Sequence, residues 1–534
     1  MGVCFKIHGA ENIRINNSRK EFIMKKFELK RIIALIFAVI MVLSVVACTK
    51  NPDDPKESDK PTEAVTNPTD GSQEPDGDNA TESPAETWIV NDQYEDGTTI
   101  SIIDQDYGRH NGTAITNEIW IEKMTGDVLA DAVWKRNELL KSTTGISVAY
   151  KDYDGNILDT LKLDESSGDY IYEVILVAFN GIATLFNNGL ALDLKTIDLD
   201  LTYSWFDQQC NDVFTLKGKQ FAFTSDISYI EDLLCIGVMF NTSIVEDNQF
   251  GDIYQMVIDK TWTFDEMVRM AEVASSGKEA TTDHTMEEFF GISSQNDFSY
   301  YMLHSTGLTT LVPNEKGELV YNGTNEKLID CLEDCFNLMS NETIFFNRQG
   351  TVGTQEISAI YDQFGAGKSL FLIRPIEALF NLRDRTDDFG IVPMPLYDPE
   401  FDNNYHTSLN TYGARATTIL SYLPKDRYQK VIDAIQVLGM QSQKLVTPAL
   451  YEICLGSRLV NDKVAPQMLD IIFQNKVYDI GFIFDTGSIR NHIVQKYAAI
   501  PKAASAIGTN LRSIEIVIQQ QLKLFMNKID KYGE

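Results

Sequence analysis

The order of strand and helix patterns between residues 99 and 178 is the feature that most restricts how this chain can fold. Residues 99–104 (TISIID) are a short apolar run with β-branched side chains, and residues 127–144 have apolar side chains at helical spacing. An alternating segment at 146–150, a polar helical stretch and a buried apolar run at 171–178 follow. This strand-helix-strand-helix-strand order predicts an α/β fold with parallel strands and flanking helices.

The start of the chain has the pattern of an export signal. Residues 32–47 are apolar, four basic residues precede them, and Cys48 follows Val45-Val46-Ala47. The end of this segment resembles a lipobox, so we expect a lipoprotein signal peptide at 24–47 and a lipid, diacylglycerol with palmitate, on Cys48. Translation would then begin at Met24, and residues 1–23 would be an upstream extension. The alternative is a membrane-spanning anchor with a cytoplasmic tail.

The segment after Cys48 separates this signal from the globular part. Residues 49–87 contain six Pro and eleven Asp or Glu and almost no large apolar side chain. Such a segment cannot bury enough apolar surface to offset its ordering entropy, so residues 48–87 are predicted to be a lipidated, disordered linker. The body at 88–534 exceeds one ordinary core, which predicts two lobes.

Charge and cysteine content exclude several classes of protein. The chain has a net charge of −31, and removal of residues 1–47, with eight basic and three acidic residues, makes it −36. Nucleic acid and anionic lipid require a positive surface, so neither is an expected partner. Five cysteines remain after Cys48, an odd number that does not predict a disulfide framework. Cys331 and Cys335 are expected to be buried thiols.

Seven segments, in order between Gly126 and Phe484, resemble the extracellular solute-binding proteins of ABC importers, in particular family 1 lipoproteins of Gram-positive anaerobes. The segments are GDVLADAVWKRNELL, GDYIYEVILVA, LDLKTIDLDLTYSWFDQQ, VMFNTSIVED with TWTFDEMVRMAEVA, FGAGKSLFLIRPIEAL, DFGIVPMPLYD and YEICLGSRLVNDKVAPQMLDIIFQNKVYDIG. The resemblance implies a two-lobed, type II periplasmic-binding-protein-like fold, each lobe a mainly parallel sheet flanked by helices, with a hinge between them. Lobe 1 would comprise about 95–235 and 406–455, and lobe 2 about 241–400 and 456–534.

The same resemblance implies a function. The chain would capture an extracellular small solute, a carbohydrate, by lobe closure and deliver it to a membrane permease. It would be a monomer, anchored by its lipid to the outer face of the cell membrane, without cofactor or metal and without enzymatic activity. Two alternatives remain: a secreted polysaccharide hydrolase, and a sensor lipoprotein that feeds a signalling kinase.

Motifs for catalysis and nucleotide binding do not fit. The GAGKS segment at 365–369 ends like a phosphate loop, but Asp362 occupies the position that requires the first Gly. The sequence has neither an HExxH pair nor a Gly-x-Ser-x-Gly elbow. Gly367-Lys368 is instead predicted to be a turn before a buried strand at 369–373.

Polar and aromatic residues near predicted strand ends are candidates for contacting the solute. In open α/β sheets ligands bind at the carboxyl ends of strands, which selects residues 104–107 and Asn180. Ser225 and Asp226 follow another apolar run. Trp205, Phe206 and Asp207 stand where the family has two aromatic residues and an Asp; Trp205 and Phe206 could instead be buried anchors.

Arg374 and Tyr405 complete the candidates. Arg374 follows the strand predicted at 369–373, where many sugar-binding members of the family have Gly-Trp. Its guanidinium would suit a carboxylate or a pair of sugar hydroxyls, or it would form an interlobe ion pair. Tyr405 lies in an irregular polar segment and would belong to the edge of the cleft or to a surface loop.

Overall fold

The computed structural model describes residues 86–532 except 92, 105–117, 154, 279–287, 316–317, 348–356, 383–387, 460–462 and 496–500. The chain divides into two compact units, 1–81 and 82–534, and every described residue belongs to the second. The predicted signal peptide, Cys48 and residues 105–107 of the predicted cleft wall lie outside the described residues, as does nearly all of the linker. In the described part, no helix has both the length and the apolar composition needed to cross a membrane.

The first sheet contains the three strands that the opening pattern predicts, together with one from far along the chain. Its order is Arg415–Ile419, Val174–Ala178, Thr99–Asp104 and Ser147–Asp152. Three strands are parallel, and Arg415–Ile419 runs antiparallel to them. Helices Val128–Thr144 and Ile157–Ser167 connect the parallel strands.

The second sheet is formed by a different set of strands, and it also contains one strand that runs against the others. Its order is Phe345–Asn347, Phe290–Ser294, Ser369–Pro375, Ile236–Asn241 and Phe389–Pro393. Only Ile236–Asn241 runs against the other four. The predicted α/β class with mainly parallel sheets is therefore confirmed. Phe389–Pro393 lies at the edge of the sheet, the position in which a proline does not interrupt a hydrogen-bonded ladder.

Local sequence explains where the helices begin and end. Asp127 caps Val128–Thr144 by accepting a hydrogen bond from the Ala130 amide at 2.8 Å, and Gly145 ends that helix in the left-handed region. Thr263 caps Phe264–Ser275 by accepting a hydrogen bond from the amide of Glu266 at 3.2 Å. The Glu266 carboxylate pairs with Arg269 at 2.6 Å.

The remaining elements surround the two sheets. The other helices are Phe179–Asn187, Gln208–Phe214, Ile230–Leu233, Thr242–Asp247, Ile253–Ile258, Phe298–His304, Glu326–Met339, Ile357–Gly365, Ala378–Leu382, Tyr428–Leu459, Ala465–Gln474, Ile480–Ile483 and Ile507–Asp530. Short strands are Thr215–Leu216, Lys219–Gln220, Leu311–Pro313, Leu319–Tyr321, Thr407–Ser408 and Lys476–Val477. Cys210, Cys235, Cys331, Cys335 and Cys454 are buried free thiols.

The chain passes between the two sheets more than once. It leaves the first sheet before Ile236–Asn241, and it returns from Phe389–Pro393 to Arg415–Ile419. The long helix Tyr428–Leu459 packs against the first lobe's helix Val128–Thr144, whereas Ala465–Gln474, which follows it, packs on the second sheet.

Candidate functional site

A cavity of about 490 Å³ lies where loops of the first lobe meet the end of helix Ala465–Gln474. Its first-lobe walls come from residues 204–209, residues 225–232 and the long helix Tyr428–Leu459, and the fourth wall is residues 473–476. Pockets of roughly 300–1,000 Å³ are typical of small-molecule sites. A solute in this cavity would therefore touch loops of the first lobe and the end of a helix that packs on the second sheet.

Backbone pairing brings five of the predicted site residues to this cavity. Phe206 and Ser225 form an antiparallel bridge, and the Asp226 amide donates to the Trp205 carbonyl at 3.0 Å. The Asp207 amide donates to the Thr224 carbonyl at 3.2 Å, which extends the pairing. Two segments selected separately in the sequence thus lie side by side. The five residues that line the cavity are Trp205, Phe206, Asp207, Ser225 and Asp226.

The two predicted aromatic residues support the wall from within the core. Trp205 is 1% exposed and its indole nitrogen donates to Gln436 at 2.9 Å. A Cβ on Gly439 would lie 2.4 Å from the indole ring, so this helix approaches Trp205 closely. Phe206 is 3% exposed and meets Phe223 edge to face at 5.4 Å. Neither ring has the open face that stacking on a solute ring requires.

The long helix and the segment after it supply aromatic residues that the sequence reasoning missed. Gln443, Thr447 and Tyr451 line the cavity at intervals of four residues, so they share one face of the helix. Tyr451 packs edge to face against Phe473 at 5.5 Å, and its hydroxyl donates to Asp470 at 3.0 Å. The four-residue spacing of these side chains is a pattern that could have identified this wall.

A cluster of charged side chains occupies one side of the cavity. The Lys476 ammonium lies 2.7 Å from Asp232, 3.3 Å from Glu231 and 3.6 Å from Asp207. Asp207 also caps helix Gln208–Phe214 through the Cys210 amide at 2.8 Å. Lys476 comes from the two-residue strand Lys476–Val477, far in sequence from its three partners, and the sequence reasoning did not select it.

Burial and mutual repulsion perturb these groups. Loss of water is the largest cause that raises the pKa of Asp226, and repulsion from Asp232 adds to it; although Lys476 opposes the shift, this pKa is about 7. Burial also raises the pKa of Glu231 to about 7, although Lys476 opposes that shift. Burial disfavours the ammonium of Lys476, but Asp232, Glu231 and Asp207 outweigh it and raise the pKa of Lys476 well above its ordinary value. Perturbed carboxyls in a cleft are typical of functional sites.

One polar atom in this wall is left unsatisfied. The Ser225 hydroxyl oxygen is buried, and within the described residues it has no hydrogen-bond partner. Buried polar side chains are nearly always paired, so this hydroxyl is available to a bound molecule. The described residues contain no group of three or more His, Cys, Asp or Glu arranged to hold a metal ion.

Asn180 lies outside the cavity. It is exposed at the start of helix Phe179–Asn187, and its backbone amide donates to the Thr411 carbonyl at 3.4 Å. A second pocket beside Thr411, lined also by Tyr412 and Arg490, measures about 10 Å³. That volume is about what one water molecule needs. The space next to Asn180 is therefore too small for a sugar in this arrangement.

Arg374 and Tyr405 are also absent from the cavity wall. Arg374 is 2% exposed in strand Ser369–Pro375, where it donates to Gln295 and lies 3.7 Å from Glu377. The Tyr405 hydroxyl donates to the Val257 carbonyl at 3.0 Å. Both side chains are thus engaged by residues of the second lobe. Their predicted contact with a solute stays a prediction.

A serine, a histidine and an aspartate align elsewhere as in a hydrolase triad. The Ser408 hydroxyl lies 2.6 Å from His304 Nδ1, and His304 Nε2 lies 3.4 Å from Asp479. All three are fully buried, and Asp479 also accepts from the amide and hydroxyl of Thr310 at 2.8 and 2.7 Å. A nucleophile must reach its substrate. This alignment therefore tethers segments rather than performing catalysis.

No family model and no curated protein matches the sequence, but solved structures share its fold. A family 1 extracellular solute-binding protein from Bifidobacterium longum subsp. infantis is similar with a TM-score of 0.51 and 15% identity, covering 80% of this chain and 100% of that one. A cyclic alpha-maltosyl-1,6-maltose binding protein from Arthrobacter globiformis gives 0.50 and 13%, covering 80% and 99%. The predicted two-lobed, periplasmic-binding-protein-like fold is thereby confirmed.

Proposed function

We propose that this chain is the solute-binding lipoprotein of an ABC transporter. It captures an extracellular small solute when its lobes close and delivers that solute to a permease in the membrane. The observation that carries this proposal is the cavity of about 490 Å³ with walls from both lobes. A solute that contacts both lobes stabilises the closed arrangement, because only that arrangement offers all the contacts.

The solute that we propose is of carbohydrate size and polarity. The Arthrobacter protein is, by its name, a binder of a cyclic maltosyl-maltose. The cavity of this chain offers amide and hydroxyl groups from Gln209, Gln443 and Thr447, and apolar surface from Tyr451 and Phe473. Such a mixture replaces the hydrogen bonds that a sugar loses with water and covers the apolar faces of its rings.

We propose further that the chain binds its solute without altering it. The proteins that share its fold are binding proteins by their names. The serine, histidine and aspartate that align as in a hydrolase are sealed in the core. Incubation with the bound solute should therefore return it unchanged, and any product in that mixture would contradict the proposal.

Anchoring through Cys48 is the cellular part of the proposal. It is supported by the basic residues, the apolar run and the cysteine in the sequence. We expect Cys48→Ala to move the protein from the membrane fraction to the medium or to leave its signal uncleaved. Labelling with a palmitate analogue should mark the wild type and not the variant. Labelling of both would assign the lipid to another residue.

A thermal-shift screen of the mature chain in detergent micelles tests the binding function directly. Sugars, amino acids, peptides and amines are added separately at millimolar concentration. A true solute at one hundred times its Kd stabilises the folded chain by about 2.7 kcal/mol, which raises the Tm by a few degrees. A screen in which no class raises the Tm would reject the proposed function.

A further inference from the structure

We propose that the solute of this cavity carries a positive charge: an amine-bearing molecule of about disaccharide size, with its ammonium against Asp226, Asp232 and Ser225. This inference rests on the proposed function, because it takes the cavity to be the solute site. It specifies the solute class by charge. A neutral sugar and an anionic solute are the outcomes that it excludes.

The lining of the cavity carries more negative than positive charge. Four carboxylates line it, from Asp207, Asp226, Glu231 and Asp232, and Lys476 is the single cation in the described lining. Lys476 already lies within 4 Å of three of them. The formal charge of the lining is therefore three negative units. Buried anions are costly unless they are paired, and a solute cation supplies the missing charge.

Asp226 has no salt bridge of its own among the residues that the structure describes. Its carboxylate bonds to Thr447, and the charge of Lys476 lowers its pKa only from beyond salt-bridge distance. Its raised pKa, about 7, reflects burial together with repulsion from Asp232. A cation beside Asp226 reverses both effects, because it favours the ionised carboxylate. A positively charged solute would therefore stabilise the ionised form of Asp226 more than that of the three carboxylates already paired with Lys476.

Ser225 supports the same conclusion independently of charge. It is 8% exposed, it lines the cavity next to Asp226 in sequence, and its hydroxyl oxygen has no partner in the described part of the chain. An ammonium group has three donors and no acceptor, so it needs several acceptors on one side. Two carboxylates and one free hydroxyl oxygen provide such a set, whereas a sugar hydroxyl has a single proton to donate.

A series of matched probes separates charge from shape. The probes are the glucosamine disaccharide, its N-acetylated form, the neutral glucose disaccharide with the same linkage, and spermidine as an amine without a sugar ring. Calorimetric titration uses the mature chain at low and at 0.5 M salt. We expect an amine probe to bind at least tenfold more tightly than both neutral disaccharides, and salt to weaken it.

Variants then assign the contact. Asp226→Asn should weaken amine binding at least tenfold. Ser225→Ala should weaken it severalfold, and it provides the test in case Asp226→Asn folds poorly. Asp198→Asn is the matched control, since Asp198 is exposed and outside the cavity. It should bind like the wild type.

The outcomes distinguish this inference from the proposed function. A neutral disaccharide that binds as tightly as the amines, or tighter, would overturn the inference and leave the proposed function standing. Amine binding that Asp226→Asn and Ser225→Ala leave unchanged would also overturn it, because the charge would be read elsewhere. Failure of these probes and of the whole thermal-shift screen would reject both.

Discussion

Two clusters of polar side chains, one fully buried and one partly buried, differ in how completely their hydrogen bonds and charges are paired within the chain. Around His304, the groups of Ser408, Asp479 and Thr310 are joined by hydrogen bonds and are sealed from solvent. Around Lys476, three carboxylates share one cation, and the carboxylate of Asp226 lines the same cavity of about 490 Å³. The groups of the first cluster have their partners within the chain, whereas the second cluster has more carboxylates than the chain supplies cations to pair with them in the described lining.

Structural polar groups can be separated from functional ones by whether their hydrogen-bond partners lie within the chain. A buried polar group that is fully bonded contributes to stability and specificity, so its loss unfolds the chain. A buried polar group that is underpaired and open to a cavity costs stability in the empty protein, and a bound molecule offsets that cost. Variants in the two clusters should therefore have opposite effects on stability.

The largest effect is expected for Asp479→Ala in the sealed cluster. Asp479 accepts from Thr310 and from the Gly481 amide, and His304 lies beside it. Removal of a carboxylate with so many buried donors should lower the free energy of unfolding by about 4 kcal/mol. Urea denaturation measures this, with the exposed Asp198→Asn as control. A loss below about 1 kcal/mol would show that the cluster is not tightly bonded.

The next effect concerns the cavity and depends on pH. The pKa values of Asp226 and Glu231 are about 7 in the folded chain and near 4 when unfolded. Between pH 4 and pH 7 the folded chain binds more protons at these two carboxyls than the unfolded chain does. The stability that these protons contribute is therefore lost as the pH rises from about 4 to 7, and it does not change further above pH 7. Asp226→Asn should gain up to about 4 kcal/mol of folding free energy on the wild type as the pH rises across that window.

The control for this titration is Glu246→Gln, which removes an exposed carboxylate outside the cavity. Its stability should follow that of the wild type at every pH. Urea denaturation at half-unit pH steps provides the comparison. A constant difference between Asp226→Asn and the wild type would mean that Asp226 ionises normally, and the contrast between the two clusters would then lose its basis.

A smaller effect is expected at the wall that Trp205 supports. A Cβ on Gly439 would lie 2.4 Å from the indole ring, so Gly439→Ala should cost about 2 kcal/mol through overpacking. In a chain that already carries Trp205→Ala, Gly439→Ala should cost less, because the ring atoms that meet the new Cβ are then absent. A double-mutant cycle measures the coupling. Additive losses would show that the helix and the indole move apart freely.

The sequence was informative about the fold because periodicity and capping are local. The pattern of residues 99–178 predicted three strands of the first sheet. Thr263 followed three residues later by Glu266 is a helix-start pattern that four residues of sequence contain, and a helix begins there. The antiparallel strand Arg415–Ile419 carries no local mark of its partner, since its register depends on chain more than two hundred residues away.

The site was less predictable because its chemistry depends on distant pairs. Asp207 and Asp226 were selected from loop positions, and they line the cavity. Lys476 and Glu231 were not selected, because nothing in the sequence near either residue shows that their side chains form an ion pair. Arg374 was selected for its charge, but the free energy of a buried guanidinium is governed by partners such as Glu377, which sequence alone does not place.

The smallest expected effect tests a residue that the sequence selected and the structure satisfies. Tyr405 bonds to the Val257 carbonyl at 3.0 Å and carries the Lys260 ammonium 4.2 Å above its ring. Tyr405→Phe removes one hydrogen bond and keeps the ring, so it should cost about 1 kcal/mol and leave solute affinity unchanged. Tyr405→Leu, which also removes the cation–π contact and the packing of a buried ring, should cost about 2 kcal/mol more. A tenfold loss of solute affinity in Tyr405→Phe, without loss of stability, would instead place Tyr405 in the solute site, and a fully bonded side chain would then no longer mark a structural role.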